Sequence, residues 1–447
     1  MIIIKKIKCT FVQIFEHLCN NTALIMYVRT YSNNFRNLEI SMFGLFSSDR
    51  TISKLFSFNT PKALFAVFFL SGFLYAAWIV RTPDIRNGLG LTLGQMGWVL
   101  FGLSAGAMLG LLVTAKLVNR YGPRLIILAG ALIIHFGLLL SALPLVITLP
   151  IPGSIVAGLG LGCVGLGSIF LDIAVNVAGA AWEATQKRPF LTTLHGCFSF
   201  GEAIGAFFGF ACVLLGFAPM QHFLLACALM LTLVFLSAKP LSGADSLVTQ
   251  TARLAATPQN QNTNKPRMDS LLMTAILVVF AVALCEGTAN DWLPILLGET
   301  LNATSSFSAF AFAHFATGLA IIRFTGTYWL NRFGRQRVLA GSGTLALCGL
   351  LLVIFIQTPL IVILGVILWS AGTALGYPVA LSAGAATGSD TATRMSMLST
   401  AGYGAFLVGP PCLGFIADHL GLPFALAFAA MFLFLPIIFA KKLSAKT

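Results

Sequence analysis

Twelve apolar runs, each long enough to cross a lipid bilayer, govern what this chain can fold into. A membrane-spanning helix needs about 20 mostly apolar residues. Such runs lie at 62–81, 93–117, 125–148, 152–182, 189–216 and 219–238, then at 270–292, 303–330, 337–357, 359–386, 393–418 and 422–440. Backbone in hydrocarbon must satisfy its own hydrogen bonds, so the runs predict helices. The chain is 57% hydrophobic and 9% charged, where soluble domains carry roughly 25% charged residues. The expectation is an all-α polytopic membrane protein with twelve transmembrane helices.

Lys and Arg set the orientation. With the N-terminus inside, the inner connections hold Arg120, Arg124, Lys187, Arg188, Lys239, Arg253, Lys265, Arg267, Arg332, Arg335, Arg337 and Arg394, with Lys441, Lys442 and Lys446 in the tail. The opposite face has Arg81 and Arg86. This places both termini in the cytoplasm and makes the net charge of +13 topological, with no nucleic-acid partner. Trp78 and Trp292 are expected at the outer interface, Trp182 and Trp329 at the inner one. All cysteines but Cys9 and Cys19 fall within spans and there is no CxxC, so neither a disulfide framework nor a metal site is expected. Residues 1–60 are polar and lack a full span; they read as a cytoplasmic extension, with Met26 and Met42 as alternative starts.

The chain divides six spans and six. Residues 61–238 form one unit, 239–269 a polar linker without apolar periodicity, 270–440 a second unit and 441–447 a tail. LVNRYGPR (117–124) follows the second span, and WLNRFGRQR (329–337) follows the second span of the second half. Asn331 minus Asn119 is 212 residues, and Trp292 minus Trp78 is 214. Two matches at nearly one spacing predict a duplicated six-helix unit, the architecture of secondary transporters with a site at the midplane.

Both loop motifs resemble that of the major facilitator superfamily. The resemblance implies two pseudo-symmetric six-helix bundles and an inner gate formed by Asn119, Arg120, Gly122 and Arg124 with Asn331, Arg332, Gly334 and Arg335. The family pattern has an acid where Asn119 and Asn331 stand, so this clamp lacks a charge-assisted component. SGFLYAAWIVRTPDIR (71–86), LDIAVNVAGAA (171–181), LHGCFSFGEAIGA (194–206), EGTANDWLP (286–294) and GYGAFLVGPPCLG (402–414) are similar to a bacterial inner-membrane branch of that superfamily near the fucose–proton symporters. That likeness covers about residues 61–440. It implies a proton-coupling role for the acid of span four, whereas the acid of span one in that group is absent here, where Ala76, Ala77 and Ile79 stand.

Polar residues inside spans are functional candidates by default. Asp172 and Asn176 share one face of span four, with Asp172 about 16 Å from the inner surface; a carboxylate there is costly unless paired, solvated or protonated. His195, Ser199 and Glu202 form a stripe on span five, and a His195–Asp172 proton relay is one expectation beside a purely structural histidine. Glu286 and Asn290 share a face of span seven in its outer third. Asp291 is expected at the outer interface with Arg81 as its partner, the two making an outer gate. Arg323 is expected to snorkel to the inner interface, with pairing to a cavity acid as the alternative. His314 faces the opposite side of that helix, and His135 is expected to pack peripherally. Glycines at 201, 205 and 209, Pro410 and Pro411, and GLGLGCVGLG (158–167) are read as close-packing or hinge positions.

No GxxxxGK[ST] and no HExxH occurs, so no enzyme and no cofactor is expected. The reading is a monomeric secondary transporter of the bacterial inner membrane. It would couple protons to a small polar solute, such as a sugar or sugar derivative, by alternating access. Proton-driven efflux of an amphipathic compound and a non-transporting sensor are the alternatives.

Overall fold

The computed structural model describes residues 59–186, 191–255, 268–385 and 391–444. The N-terminal extension, Cys9, Cys19, Lys187, Arg188, Lys265, Arg267 and Lys446 lie outside them. Twelve helices are long and apolar enough to cross a membrane: α1 Thr60–Val80, α2 Leu93–Tyr121, α3 Pro123–Ala142, α4 Gly153–Gln186, α5 Leu191–Leu214, α6 Pro219–Ala238, α7 Ser270–Leu301, α8 Ser305–Phe324, α9 Gly326–Phe355, α10 Pro359–Ala385, α11 Thr391–Leu420 and α12 Leu422–Ser444. No strand occurs among the described residues. Helices α1 to α6 pack mainly on one another, as do α7 to α12; across the seam α5 packs on α8, α2 on α11, and α1 on α7 and α8.

The duplication is visible in the backbone. Gly122 ends α2 with φ 80° and ψ 158°, and Gly334 has φ 77° and ψ 160°. Their separation, 334 minus 122, is the 212 residues that separate Asn119 from Asn331. Positive φ is the region glycine enters without a Cβ penalty. The same offset carries Leu93 onto Ser305 and Tyr121 onto Phe333. In the second half this stretch is broken at Thr325, where α8 ends, and resumes as the first turns of α9 before the Gly334 joint.

Close backbone approach holds the first bundle together. The small residues of 158–167 put α4 between α2 and α3: a Cβ on Gly102 or Gly106 would strike the carbonyls of Gly158 and Gly162, and one on Gly137 or Gly130 those of Gly160 and Gly167. Gly201 and Gly205 of α5 likewise lie on the carbonyls of Phe69 and Phe73 in α1, while Gly209 meets Val80 and His222 side chains. Small residues permit such contact where lipid supplies no hydrophobic drive for helix association. His135 is buried between α3 and α6, its Nδ1 2.7 Å from the Ala131 carbonyl and its own carbonyl facing Cys227. Pro410 and Pro411 lie within α11, where Gly97 of α2 meets the Pro410 carbonyl.

Three expectations change. The seventh span does not stop at 292: α7 runs from the Asp269 cap through Pro294 to Leu301, where Asn302 adopts the left-handed conformation. Glu286 therefore sits near the middle of α7 rather than in its outer third, and Asp291 is buried rather than interfacial. Trp78 and Trp292 are not belt residues, since both are fully buried within the bundles. The linker is not wholly irregular. Ser242–Ala255 forms a helix that buries Ala244, with Leu241 buried just before it. The Asp245 carboxylate accepts the Arg124 backbone N–H at 3.0 Å, at the start of α3.

Candidate functional site

Exposure locates a polar cavity between the bundles. Tyr75 is the one residue of α1 between Leu70 and Pro83 that is not buried, and Glu286 holds the same place in α7 between Ala281 and Leu297. A partly exposed polar residue among buried neighbours at mid-helix faces an internal space. Asp172 and Asn176 of α4, Arg323 of α8, Tyr377 of α10 and Tyr403 of α11 are partly exposed as well.

At its centre Arg323 places Nη2 2.7 and 2.9 Å from the two Glu286 oxygens and donates from Nη1 to the Ser199 hydroxyl at 3.2 Å. Arg323 and Glu286 belong to the second bundle and Ser199 to the first, so the guanidinium stands on the seam. Arg323 does not snorkel: a bidentate carboxylate inside the protein offers it more than the interface does. Glu202, three residues beyond Ser199, is buried and within electrostatic reach of both Arg323 and Glu286. Of the polar stripe on α5, Ser199 and Glu202 join this cluster.

His195 lies at the exposed end of the stripe, edge-on to Phe68 with ring centroids 5.3 Å apart. Its charged neighbour is Arg323. Asp172 instead accepts from the Asn176 amide at 3.1 Å and faces Tyr377 and Tyr403 of the other bundle. The His195–Asp172 relay is therefore not formed here. Asn290 is buried beside the Tyr75 hydroxyl, and its Oδ1 has no hydrogen-bond partner. His314 turns away from Arg323 to contact the Phe310 carbonyl at 2.9 Å and the Phe207 and Phe310 rings.

The expected Arg81–Asp291 pair is replaced by a different knot. Buried Arg81 holds Asp84 at 2.8 Å, the His222 Nδ1 at 3.2 Å and the Phe217 carbonyl at 2.7 Å. It ties the end of α1 to the short helix Thr82–Gly88 and to α6. The same end bridges the bundles: Arg86 to Glu299 at 2.6 Å, the Ser305 hydroxyl to Asp84 at 2.7 Å and the Thr92 hydroxyl to Asp418 at 3.1 Å. The opposite, basic end carries the two loop motifs, and on that side a Cβ on Gly196 of α5 would meet the Phe324 ring of α8. Asn119, Arg120, Asn331, Arg332 and Gly334 are exposed there, Arg335 is half-buried, and no ion pair among the described residues engages any of them. Arg120 lies over the Tyr121 ring and Arg124 donates to the Ala238 carbonyl at 2.9 Å. No cluster of metal-ligating side chains occurs among the described residues.

Twelve helices in two bundles around charged side chains are the architecture of secondary membrane transporters. Residues 275–445 match the family model of the Major Facilitator Superfamily. An uncharacterised MFS-type transporter of Yersinia pestis is 27% identical over 369 residues, 82% of this chain and 91% of the relative. Among solved structures, the nucleoside transporter NupG is 14% identical with a TM-score of 0.64, covering 87% of this chain and all of that one. The E. coli fucose:proton symporter FucP is 19% identical with a TM-score of 0.52, covering 86% of this chain and 98% of that one. At such identities the structures speak to fold alone. The second half of the chain thus matches the Major Facilitator Superfamily, and the chain as a whole is similar to MFS-type transporters.

Tyr75, Tyr377 and Tyr403 escaped the sequence reading, as did the inward direction of Arg323. A tyrosine in mid-span was the available signal, because its hydroxyl needs a polar partner when buried.

Proposed function

We propose that this chain is a proton-coupled secondary transporter of a small polar solute, working by alternating access in the bacterial inner membrane with both termini cytoplasmic. The observation that carries this reading is the position of Arg323, which binds Glu286 of its own bundle while touching Ser199 of the other. Glu202 offers it a second carboxylate from the first bundle. A buried carboxyl without a hydrogen-bond donor is less costly as the neutral acid. In the state described, Glu202 then holds the proton while Glu286 holds the arginine. Rocking the bundles exchanges the two acids at Arg323 and moves the proton. Asp172 and Asn176, open to the cavity, receive the solute, and Arg86, Asp84 and Thr92 close the outer end. The likeness to a nucleoside transporter and a fucose:proton symporter supports a solute rich in hydroxyls.

Purified protein in liposomes is expected to accumulate at least one sugar or nucleoside when the outside is made acidic. Glu202→Gln should abolish accumulation while leaving solute exchange across the membrane. The reading fails if no solute moves, or if Glu202→Gln accumulates solute like the parent.

A further inference from the structure

The cavity is unbalanced in what it leaves unused. Its cation is engaged: both Nη atoms of Arg323 are bonded, to Glu286 and to Ser199. Its acceptors are not. Asp172 receives one hydrogen bond, from Asn176, although a carboxylate has about four lone-pair sites. Asn290 Oδ1 is fully enclosed and has no donor at all, in a residue that is 5% exposed. The charges are unbalanced too. Glu286 neutralises Arg323, while Asp172 has no cationic partner among the described residues. An intramembrane carboxylate in that position is expensive until something positive arrives. The groups facing Asp172 from the other bundle, Tyr377 and Tyr403, bring aromatic rings, which attract organic cations.

We infer that the solute carries a protonated amine, which docks on Asp172 beside Tyr377 and Tyr403. An ammonium brings three donors to Asp172 and cancels its charge. A carboxylate or phosphate solute would meet Asp172 with no free cation to receive it. A neutral polyol would bond to Asp172 and leave its charge uncompensated. This inference rests on the transport reading, and adds to it the charge of the cargo.

The test uses the full-length protein and matched pairs in which an amine replaces a hydroxyl: glucosamine with glucose, 2-aminoethanol with ethylene glycol, and putrescine with butane-1,4-diol. Thermal shift at neutral pH reads binding, since a ligand of the folded state raises Tm by mass action. At least one amine is expected to raise Tm where its hydroxyl partner does not. Asp172→Asn should weaken that amine by about tenfold or more, the size of a lost charge-assisted bond. Asp172→Glu should keep a measurable shift, showing that the site and not the fold was lost. The inference is overturned if hydroxyl partners stabilise as strongly as amines, if Asp172→Asn keeps the affinity, or if no amine of the set shifts Tm. Flux of a neutral solute under a pH gradient with no amine binding would leave the transport reading standing and remove this one; absence of all flux would remove both.

Discussion

Arg323 shows what position along a helix can and cannot tell. Counting residues from Asn331 placed it within a long side chain's reach of the interface. The structure turns it inward onto Glu286, because the face of a helix, and not only its depth, decides which environment a side chain enters. Removing one member of a partly buried ion pair leaves the other uncompensated. Arg323→Leu is therefore expected to cost about 1.5–3 kcal/mol, read as a fall in Tm of the purified protein. The double variant Arg323→Leu/Glu286→Leu should recover most of that loss; equal Tm values for single and double variants would show that the pair is not coupled. The acids were legible because Asp, Glu and Asn are rare in hydrocarbon and stand out in an apolar run. The three tyrosines were not, since a tyrosine in an apolar run also suits packing against lipid or a neighbouring helix.

At the scale of elements, the number of spans was plain in the sequence and their ends were not. Trp292 and Pro294 read as an interfacial stop, but α7 continues to Leu301, and Asn302 ends it. Proline is tolerated inside a membrane helix when neighbours satisfy the freed carbonyl. The beginning of α7 is fixed by Asp269, which caps Leu272 at 2.7 Å and pairs with Arg394 at 2.6 and 3.1 Å. Arg394 also donates to the Gly384 carbonyl at 2.9 Å, joining α7, α10 and α11 at the basic end. The hydrogen bonds from Arg394 hold the Asp269 carboxyl below the usual carboxylate range, with the Leu272 N–H helping. A depressed folded value gives stability that is complete above the unfolded value of about 3.9 and is lost as pH falls through the folded one. Asp269→Asn should thus lower Tm at neutral pH and flatten its decline below about pH 4; parallel curves for the two proteins would count against this role. Gly165 offers a second check, since a side chain there strikes the Leu103 carbonyl. Gly165→Leu is expected to destabilise the first bundle by about 1–3 kcal/mol or prevent insertion, whereas Gly341→Ala, where a Cβ meets nothing, should be near neutral.

For the whole molecule, the duplication was legible from two short matches at one spacing, and Gly122 and Gly334 show why that spacing is kept. That the Arg81 end is bridged between the bundles was not legible, because it depends on pairs such as Arg86–Glu299 and Asp84–Ser305, 213 and 221 residues apart in sequence. These contacts are partly exposed, so each contributes modestly and weakens with salt. Combining Glu299→Gln with Ser305→Ala should shift the population toward a form open at the Arg81 end. Spin labels at Asn87 and Gly298, in a background without the nine native cysteines, should then report a longer distance fraction; an unchanged distribution would mean that these contacts do not set the state.

The anchoring of the linker helix also limits how the halves move. Asp245 fastens the connection to the first bundle at the start of α3, and its helix ends at Ala255. The chain from the end of that helix to Asp269 is short, since 269 minus 255 is 14 residues. Fully drawn out, it reaches about 50 Å, less than half of what all of 239–269 would span as an open chain. Lengthening or cutting the chain between 255 and 269 should therefore change the travel of one bundle against the other far more than altering residues before Asp245, which are already moored.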